Sequence, residues 1–138
     1  MQRKVVIDTN VYIDIFNKNE NSDQINWFKN ITFLAWPVLH ELWMGAKDKT
    51  EINFLIKWGE TFSDLNRLII PTHTTLFHIG ETCQKLRNQG KLNPVNPKHY
   101  NDITIAILAR QIGATVLTKN KSDFKMIQSL VDFTCEFL

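Results

Sequence analysis

Several features that would place a chain in a specialised class are scarce here. Cys83 and Cys135 are the only cysteines in 138 residues, and they form no C-x-x-C pair. That excludes a disulfide framework and a thiolate metal site, so each thiol reads as a small core residue. No apolar run approaches the roughly 18 residues that a membrane span requires. Met1-Gln2-Arg3-Lys4 leads at once into Val5-Val6-Ile7 and Asp8, too short an apolar stretch for a signal peptide, and a cytoplasmic protein is expected. Excess charge is scarce too: the net value of +2 gives no whole-molecule field that would announce nucleic acid. There is no internal repeat and no low-complexity segment. What remains is ordinary globular material. Hydrophobic residues at 43% and charged residues at 22% allow a packed core, and the length suits a single domain over residues 1–138.

Periodicity points to alternating strands and helices. Val5-Val6-Ile7 is a β-branched run of the kind buried on both faces in a parallel sheet. A helix is expected over residues 10–18, capped by Thr9 or Asn10, and another over Ser22–Lys29. Ile31–Trp36 reads as a strand, with a helix from Pro37 that carries Val38, Leu39, Leu42, Trp43 and Ala46. Further helices are predicted over Thr50–Leu65, His73–Gln89, Ile103–Ile112 and Asp123–Leu130, and further strands over Arg67–Ile70, Thr115–Thr118 and Phe133–Leu138. Lys91–Lys98, with two prolines and two asparagines, reads as a loop. The pattern predicts an α/β fold with a mainly parallel central sheet flanked by helices. Trp27, Trp36, Trp43 and Trp58 are expected mostly in the core, with Trp43 and Trp58 as alternative walls of an apolar groove.

Most of the fourteen acidic residues have plain explanations on polar helix faces or in loops. Four resist them. Asp8 directly follows a buried strand, where open parallel sheets bind ligands; a helix cap is the alternative, but Thr9 and Asn10 serve that purpose equally well. Asp102 stands at the head of the apolar run Ile103–Ala109, on a stripe that must be buried, where an ionised carboxylate is costly without a partner. Glu41 lies one turn into the helix begun by Pro37, beside its buried face; taken alone it reads as a solvent-facing glutamate. Asp123 follows Thr118-Lys119-Asn120-Lys121-Ser122 at the end of a strand, with an N-cap as the alternative reading. Asp8 and the Thr118–Asp123 turn fall on one edge of a parallel sheet. Simple alternation places Asp102 on the opposite edge, and the Gly90–Lys98 loop is the device available to carry it across.

Carboxylates packed together repel and partly protonate, a conflict that a divalent cation removes. Mg²⁺ and Mn²⁺ take hard oxygen ligands, and such an ion supplies an activated water and stabilises charge on a phosphate. Zinc is disfavoured because His40, His73, His78 and His99 are scattered and pair with no cysteine. Basic residues flank the acids, with Lys85, Arg87, Lys91, Lys98 and His99 in one group and Lys119, Lys121 and Lys125 in another. Alone they read as solvated faces.

At these residues the chain resembles a known family. Val5-Val6-Ile7-Asp8-Thr9-Asn10 resembles the opening motif of PIN-domain proteins, particularly VapC-type toxins of bacterial toxin–antitoxin pairs. Glu41-Leu42 with Gly45 is similar to the second motif, and Asn101-Asp102-Ile103 with Ile105-Ala106 and Ala109 to the third. Thr118-Lys119-Asn120-Lys121-Ser122-Asp123-Phe124 resembles the fourth, T-x-N-x-x-D-F. Two features depart from the pattern: the Gly90–Asp102 segment is longer than usual, and Ala35-Trp36-Pro37 replaces the customary Ser or Thr before the second motif. The resemblance implies a PIN-like fold, with the acids converging on one pocket. It also implies Mg²⁺- or Mn²⁺-dependent endoribonuclease activity on structured RNA, a homodimer, and a cognate antitoxin that blocks the site. Asp8, Glu41 and Asp102 would be the metal-binding acids and Asp123 an outer catalytic acid. Thr118 and Asn120 would be supporting polar groups, and Asn10 would orient Asp8. Lys91, Lys98, Lys119 and Lys121 would contact RNA phosphates. Two alternatives stay open: a PIN nuclease for RNA processing outside any toxin pair, and a catalytically silent regulatory module.

Overall fold

The computed structural model describes residues 2–18, 25, 27 and 29–138. Along the chain run β1 (Arg3–Ile7), α1 (Thr9–Lys18), β2 (Asn30–Ala35), α2 (Trp36–Met44), α3 (Lys49–Asp64) and β3 (Leu68–Ile69). They are followed by α4 (His73–Asn88), α5 (Pro97–Ile112), β4 (Thr115–Thr118), α6 (Lys121–Gln128) and β5 (Thr134–Phe137). The strands form one sheet in the order β3-β2-β1-β4-β5, and every adjacent pair is parallel. The α/β class expected from the sequence, a parallel sheet with flanking helices, is the architecture observed.

The sheet order carries the functional geometry. From β1 the chain moves outward through β2 to β3, then crosses back to lay β4 on the other side of β1. The strand order therefore reverses between β1 and β4, and such a switch point leaves a crevice beyond the carboxyl ends of the two strands. Val5, Val6 and Ile7 pair with Thr115, Val116 and Leu117, which brings the residues after Ile7 and after Leu117 to the mouth of that crevice. β1 and β4 are buried along their facing lengths, as parallel strands covered on both sides must be.

Helix α5 is buried continuously from Asp102 to Ala109, because it packs against α2, α4 and α6 as well as the sheet. A helix apolar on all sides belongs in such a position. It ends at Gly113, whose φ of 69° is a left-handed conformation that L side chains seldom adopt.

Several boundaries differ from expectation, and one matters. α5 begins at Pro97, not Ile103, because Asn96 caps it by accepting from the Lys98 N–H at 3.0 Å and Pro97 suits a first helical position. The proline that suggested a loop is a helix start. Asp102 thus sits in the second turn, and the segment that looked unusually long is in good part helix. Asp102 also lies at the carboxyl edge of the sheet and not at the opposite one. A helix leading into a parallel strand runs antiparallel to it, so its first turns lie at the carboxyl edge of the sheet.

Helix α6 begins at Lys121 with Asn120 as its cap, so Asp123 is a first-turn residue and not the cap. α1 begins at Thr9, which puts Asp8 in the flanking position assigned to Thr9 or Asn10; its carbonyl accepts from Tyr12 N–H at 3.3 Å. The helix expected over Ser22–Lys29 falls mostly outside the described residues, and Ile25, Trp27 and Lys29 within it are not helical. No described tryptophan is fully buried: Trp27 and Trp43 are exposed, while Trp36 and Trp58 pack partly against the core. Both cysteines are free and only partly buried.

Candidate active site

Asp8 extends the β1–β4 pairing by one residue, its N–H donating to the Leu117 carbonyl at 2.9 Å, and its side chain is fully buried. One carboxylate oxygen accepts from the Thr9 N–H at 2.8 Å and the other from the Thr118 hydroxyl at 2.7 Å. Thr118 closes β4 and is buried too, and its oxygen accepts from the Asn120 N–H at 3.0 Å. The ends of the two central strands are thus joined through side chains. Burial pushes the Asp8 carboxyl up from its usual range, while the Thr118 hydrogen bond and the Lys98 charge act against that shift.

Glu41 comes from the second turn of α2, half-buried, with Oε1 accepting from the Thr9 hydroxyl at 3.1 Å. Its pKa is raised by burial, lowered by the Lys98 charge, and raised again by repulsion from Asp8. Asn101 also hydrogen-bonds to it.

Asp102 is fully buried in α5. Its Oδ2 accepts from the Asn120 amide at 3.1 Å, and its Oδ1 lies 3.4 Å from the Lys98 ammonium. Burial, then repulsion from Asp8, push its pKa to about 7, with a smaller push from Asp123 and opposition from Lys98. The Asn120 amide also donates to Asp123 at 3.0 Å, and its oxygen accepts from the Asp123 N–H at 3.3 Å. One asparagine therefore bridges two acids while capping α6. The Asp123 carboxylate is largely buried, with His99 Nε2 at 3.8 Å. His99 Nδ1 accepts from the Asn93 N–H at 3.1 Å, which turns Nε2 toward Asp123.

The structure brings Asp8, Glu41, Asp102 and Asp123 into one network with Thr118 and Asn120. The other candidate residues are placed differently. Asn10 accepts from the Lys119 N–H at 3.3 Å, so it anchors the turn after β4, while Thr9 and Thr118 orient Asp8. The Lys119 ammonium pairs with buried Asp14 on α1. Lys91 bonds the Ser129 hydroxyl at 2.9 Å, and Lys121 is exposed. Lys98 is drawn in among the acids.

Sequence reasoning missed Thr9, Asn101, His99 and Asp14. A capping hydroxyl beside Asp8 was visible, but not its reach to Glu41 thirty-two positions away. The Lys98–Asp102 contact is a four-residue helical spacing, hidden only because the helix was started too late.

The donor set fits a hard divalent ion. Asp8, Glu41 and Asp102 offer only oxygen, and each has its pKa raised by burial, with mutual repulsion adding to the shift on Glu41 and Asp102, the situation that a cation relieves. Among the described residues no three His, Cys, Asp or Glu side chains stand as a ready-made cage. Their oxygens are held by Thr9, Thr118, Asn120 and Lys98. Magnesium sites built on one or two carboxylates and completed by water and phosphate need no such cage.

Next to Glu41 lies an open apolar cleft of about 410 Å³ between α1, α2 and α3, walled by Ile13, Phe16, Leu42, Ala46, Phe54 and Leu55. Trp43 and Trp58 are not among its walls; Trp58 packs edge-on against Tyr12, Phe16 and Phe62.

A family model described as the PIN domain matches residues 5–129. Among solved structures, the chain is similar to VapBC2 from Rickettsia felis bound to a DNA fragment from its promoter, at 26% identity over 98% of both chains with a TM-score of 0.70. It is also similar to DNA-bound VapBC from Salmonella typhimurium, at 26% identity over 99% of this chain and 98% of that one, with a TM-score of 0.66. FitAcB from Neisseria gonorrhoeae shares the fold, at 19% identity over 97% and 96% of the two chains and a TM-score of 0.70. No curated protein sequence matches the chain.

Proposed function

The chain belongs to the PIN-domain family, and from that premise we propose that it is a VapC-type toxin, a divalent-metal-dependent endoribonuclease that hydrolyses phosphodiester bonds of structured RNA. The observation that carries this reading is the meeting of four carboxylates from four separate elements at the switch point between β1 and β4. Nothing in the packing requires acids there; Asp8 and Asp102 are fully buried at a cost that their hydrogen bonds and Lys98 offset only in part, as their raised pKa values show, and that a bound divalent ion would relieve.

In this reading Asp8, Glu41 and Asp102 hold Mg²⁺ or Mn²⁺, and Asp123 completes the acidic wall. The ion, when bound, activates water for attack and neutralises charge on the phosphate. Thr118, Thr9 and Asn120 keep the carboxylates aimed: Thr118 holds Asp8, Thr9 holds Asp8 and Glu41, and Asn120 holds Asp102 and Asp123. Exposed Lys91 and Lys121 meet flanking phosphates, whereas Lys119 does so only by leaving Asp14. A cognate antitoxin places apolar side chains in the cleft beside Glu41, and so reaches the acids from the side. The toxin acts as a cytoplasmic, single-domain protein and as a homodimer, for which exposed Leu76 and Phe77 on α4 and nearby Ile70 supply apolar surface.

The test is cleavage of RNA by the purified protein with Mg²⁺ or Mn²⁺. Asp8→Asn and Asp102→Asn should each lower the rate at least ~100-fold, since each removes several kcal/mol of metal-borne transition-state stabilisation. Undiminished cleavage by either variant, or in excess EDTA, overturns the reading. Induction in a bacterium without the antitoxin should halt growth; a nuclease for RNA processing would cut RNA without that arrest, and a silent module would do neither.

A further inference from the structure

Lys98 is an unexpected residue in its position. It lies in the first turn of α5, at the positive end of the helix dipole, where a cation is disfavoured. Its side chain is only 47% exposed, so it has also surrendered part of its hydration. Two unfavourable terms are accepted at one residue, and the offsetting term is visible. One turn along the helix, Asp102 presents Oδ1 to the ammonium at 3.4 Å. Asp8 and Glu41 add their attraction for the same ammonium. The helical spacing of four residues points the Lys98 side chain at Asp102.

We propose that the Lys98 ammonium is a built-in counter-ion of the acidic cluster, occupying the carboxylates in the metal-free protein and competing directly with the divalent ion for them. The proposal rests on the metal-dependent reading of the site. Three carboxylates can neutralise one divalent ion with little charge left over, and an ammonium held within a few ångströms of that ion would be strongly repelled. Metal entry therefore requires Lys98 to swing outward, where its long flexible stem and half-exposed position allow it to meet an RNA phosphate. The residue then sets a threshold: divalent ion alone binds weakly, and phosphate that captures the released ammonium strengthens the binding.

Calorimetric titration of the full chain with MnCl₂, without RNA, tests this. Lys98→Met should tighten Mn²⁺ binding about tenfold or more, as expected when a competing charge is removed at contact distance. Lys98→Arg should bind no more tightly than the unaltered protein. Lys125→Met removes the same charge from an exposed site on α6, and should shift the affinity less than about twofold, since exposed charges are screened. In EDTA, Lys98→Met should also melt below the unaltered protein, and with saturating Mn²⁺ that deficit should close. Unchanged or weaker Mn²⁺ binding by Lys98→Met, or equal tightening by Lys125→Met, overturns the competition while leaving the metal site intact. Absence of Mn²⁺ binding in every form overturns both the competition and the metal-dependent reading.

Discussion

At the scale of single residues, the site is a set of buried and half-buried carboxylates held mainly by uncharged donors, with the Lys98 ammonium beside Asp102. Thr118 shows this most directly, because its hydroxyl is the hydrogen bond that Asp8 Oδ2 receives inside the protein, at 2.7 Å. Thr118→Val should cost ~1–3 kcal/mol of stability by leaving that oxygen unsatisfied, whereas Thr118→Ser should retain most of it; denaturant midpoints measure both. Asp102 carries the pH dependence. Its folded pKa of about 7 stands above the ordinary 3.8, so between those values the native state holds a proton that the unfolded chain releases. The stability contributed by that proton is complete below the lower value and lost as pH rises through the upper one. Metal-free protein in EDTA should therefore melt several degrees lower at pH 8 than at pH 5, and Asp8 and Glu41, whose pKa values are also raised, act in the same direction. Asp102→Asn should flatten much of this slope. A melting temperature that climbs from pH 5 to 8 would contradict the sign. These residues were legible in sequence as acids out of place; their hydrogen-bond partners were not, because Thr9 meets Glu41 and Thr118 meets Asp8 only across the fold.

At the scale of elements, α5 decides the site, and its two ends show local chemistry at work. At the start, Asn96 and Pro97 begin a helix where proline content alone suggested a loop, and that early start brings Lys98 onto the same helical face as Asp102. At the far end, Gly113 adopts φ 69° with no atom within 4 Å of an added Cβ, so only conformation resists a side chain there. Gly113→Ala should destabilise by ~1–2 kcal/mol, the cost of a left-handed L-residue. Gly80 is the contrast: it lies exposed inside α4, also with open space at its Cβ. Gly80→Ala should stabilise by ~0.5–1 kcal/mol, through helix propensity. Opposite signs for the two glycine-to-alanine changes, read by chemical denaturation, would confirm that backbone conformation and not packing governs both positions. Element type was well marked by periodicity, as the buried run Ile103–Ala109 illustrates. Element ends were less so, since caps are decided by single side chains whose alternatives, such as Asp8, Thr9 and Asn10, stand next to one another.

At the scale of the whole molecule, a net charge of only +2 supplies no general attraction for nucleic acid, so the proposed RNA contacts rest on local charge. In the proposed function, RNA affinity should fall linearly with the logarithm of salt concentration. Measured by anisotropy in the Asp8→Asn background, Lys121→Ala should reduce the slope by ~0.7–0.9, one phosphate contact's worth; an unchanged slope removes Lys121 from the interface. The order of residues was enough to establish an alternating α/β chain, the buried β1 and β4 strands, and four acids singled out as candidates beside their cap and surface alternatives. Those are properties of neighbours along the chain, set by side-chain period and by the hydration of charge. The meeting of the acids was decided elsewhere. It depends on β4 lying beside β1 rather than beside β3, and on α5 running antiparallel to the strand it precedes. Both are outcomes of how the sheet and helices cover one another, and no single segment encodes them. Lys98 lies between the two: its pairing with Asp102 is a four-residue spacing on one helix, but the added attraction of Asp8 and Glu41 exists only in the assembled fold.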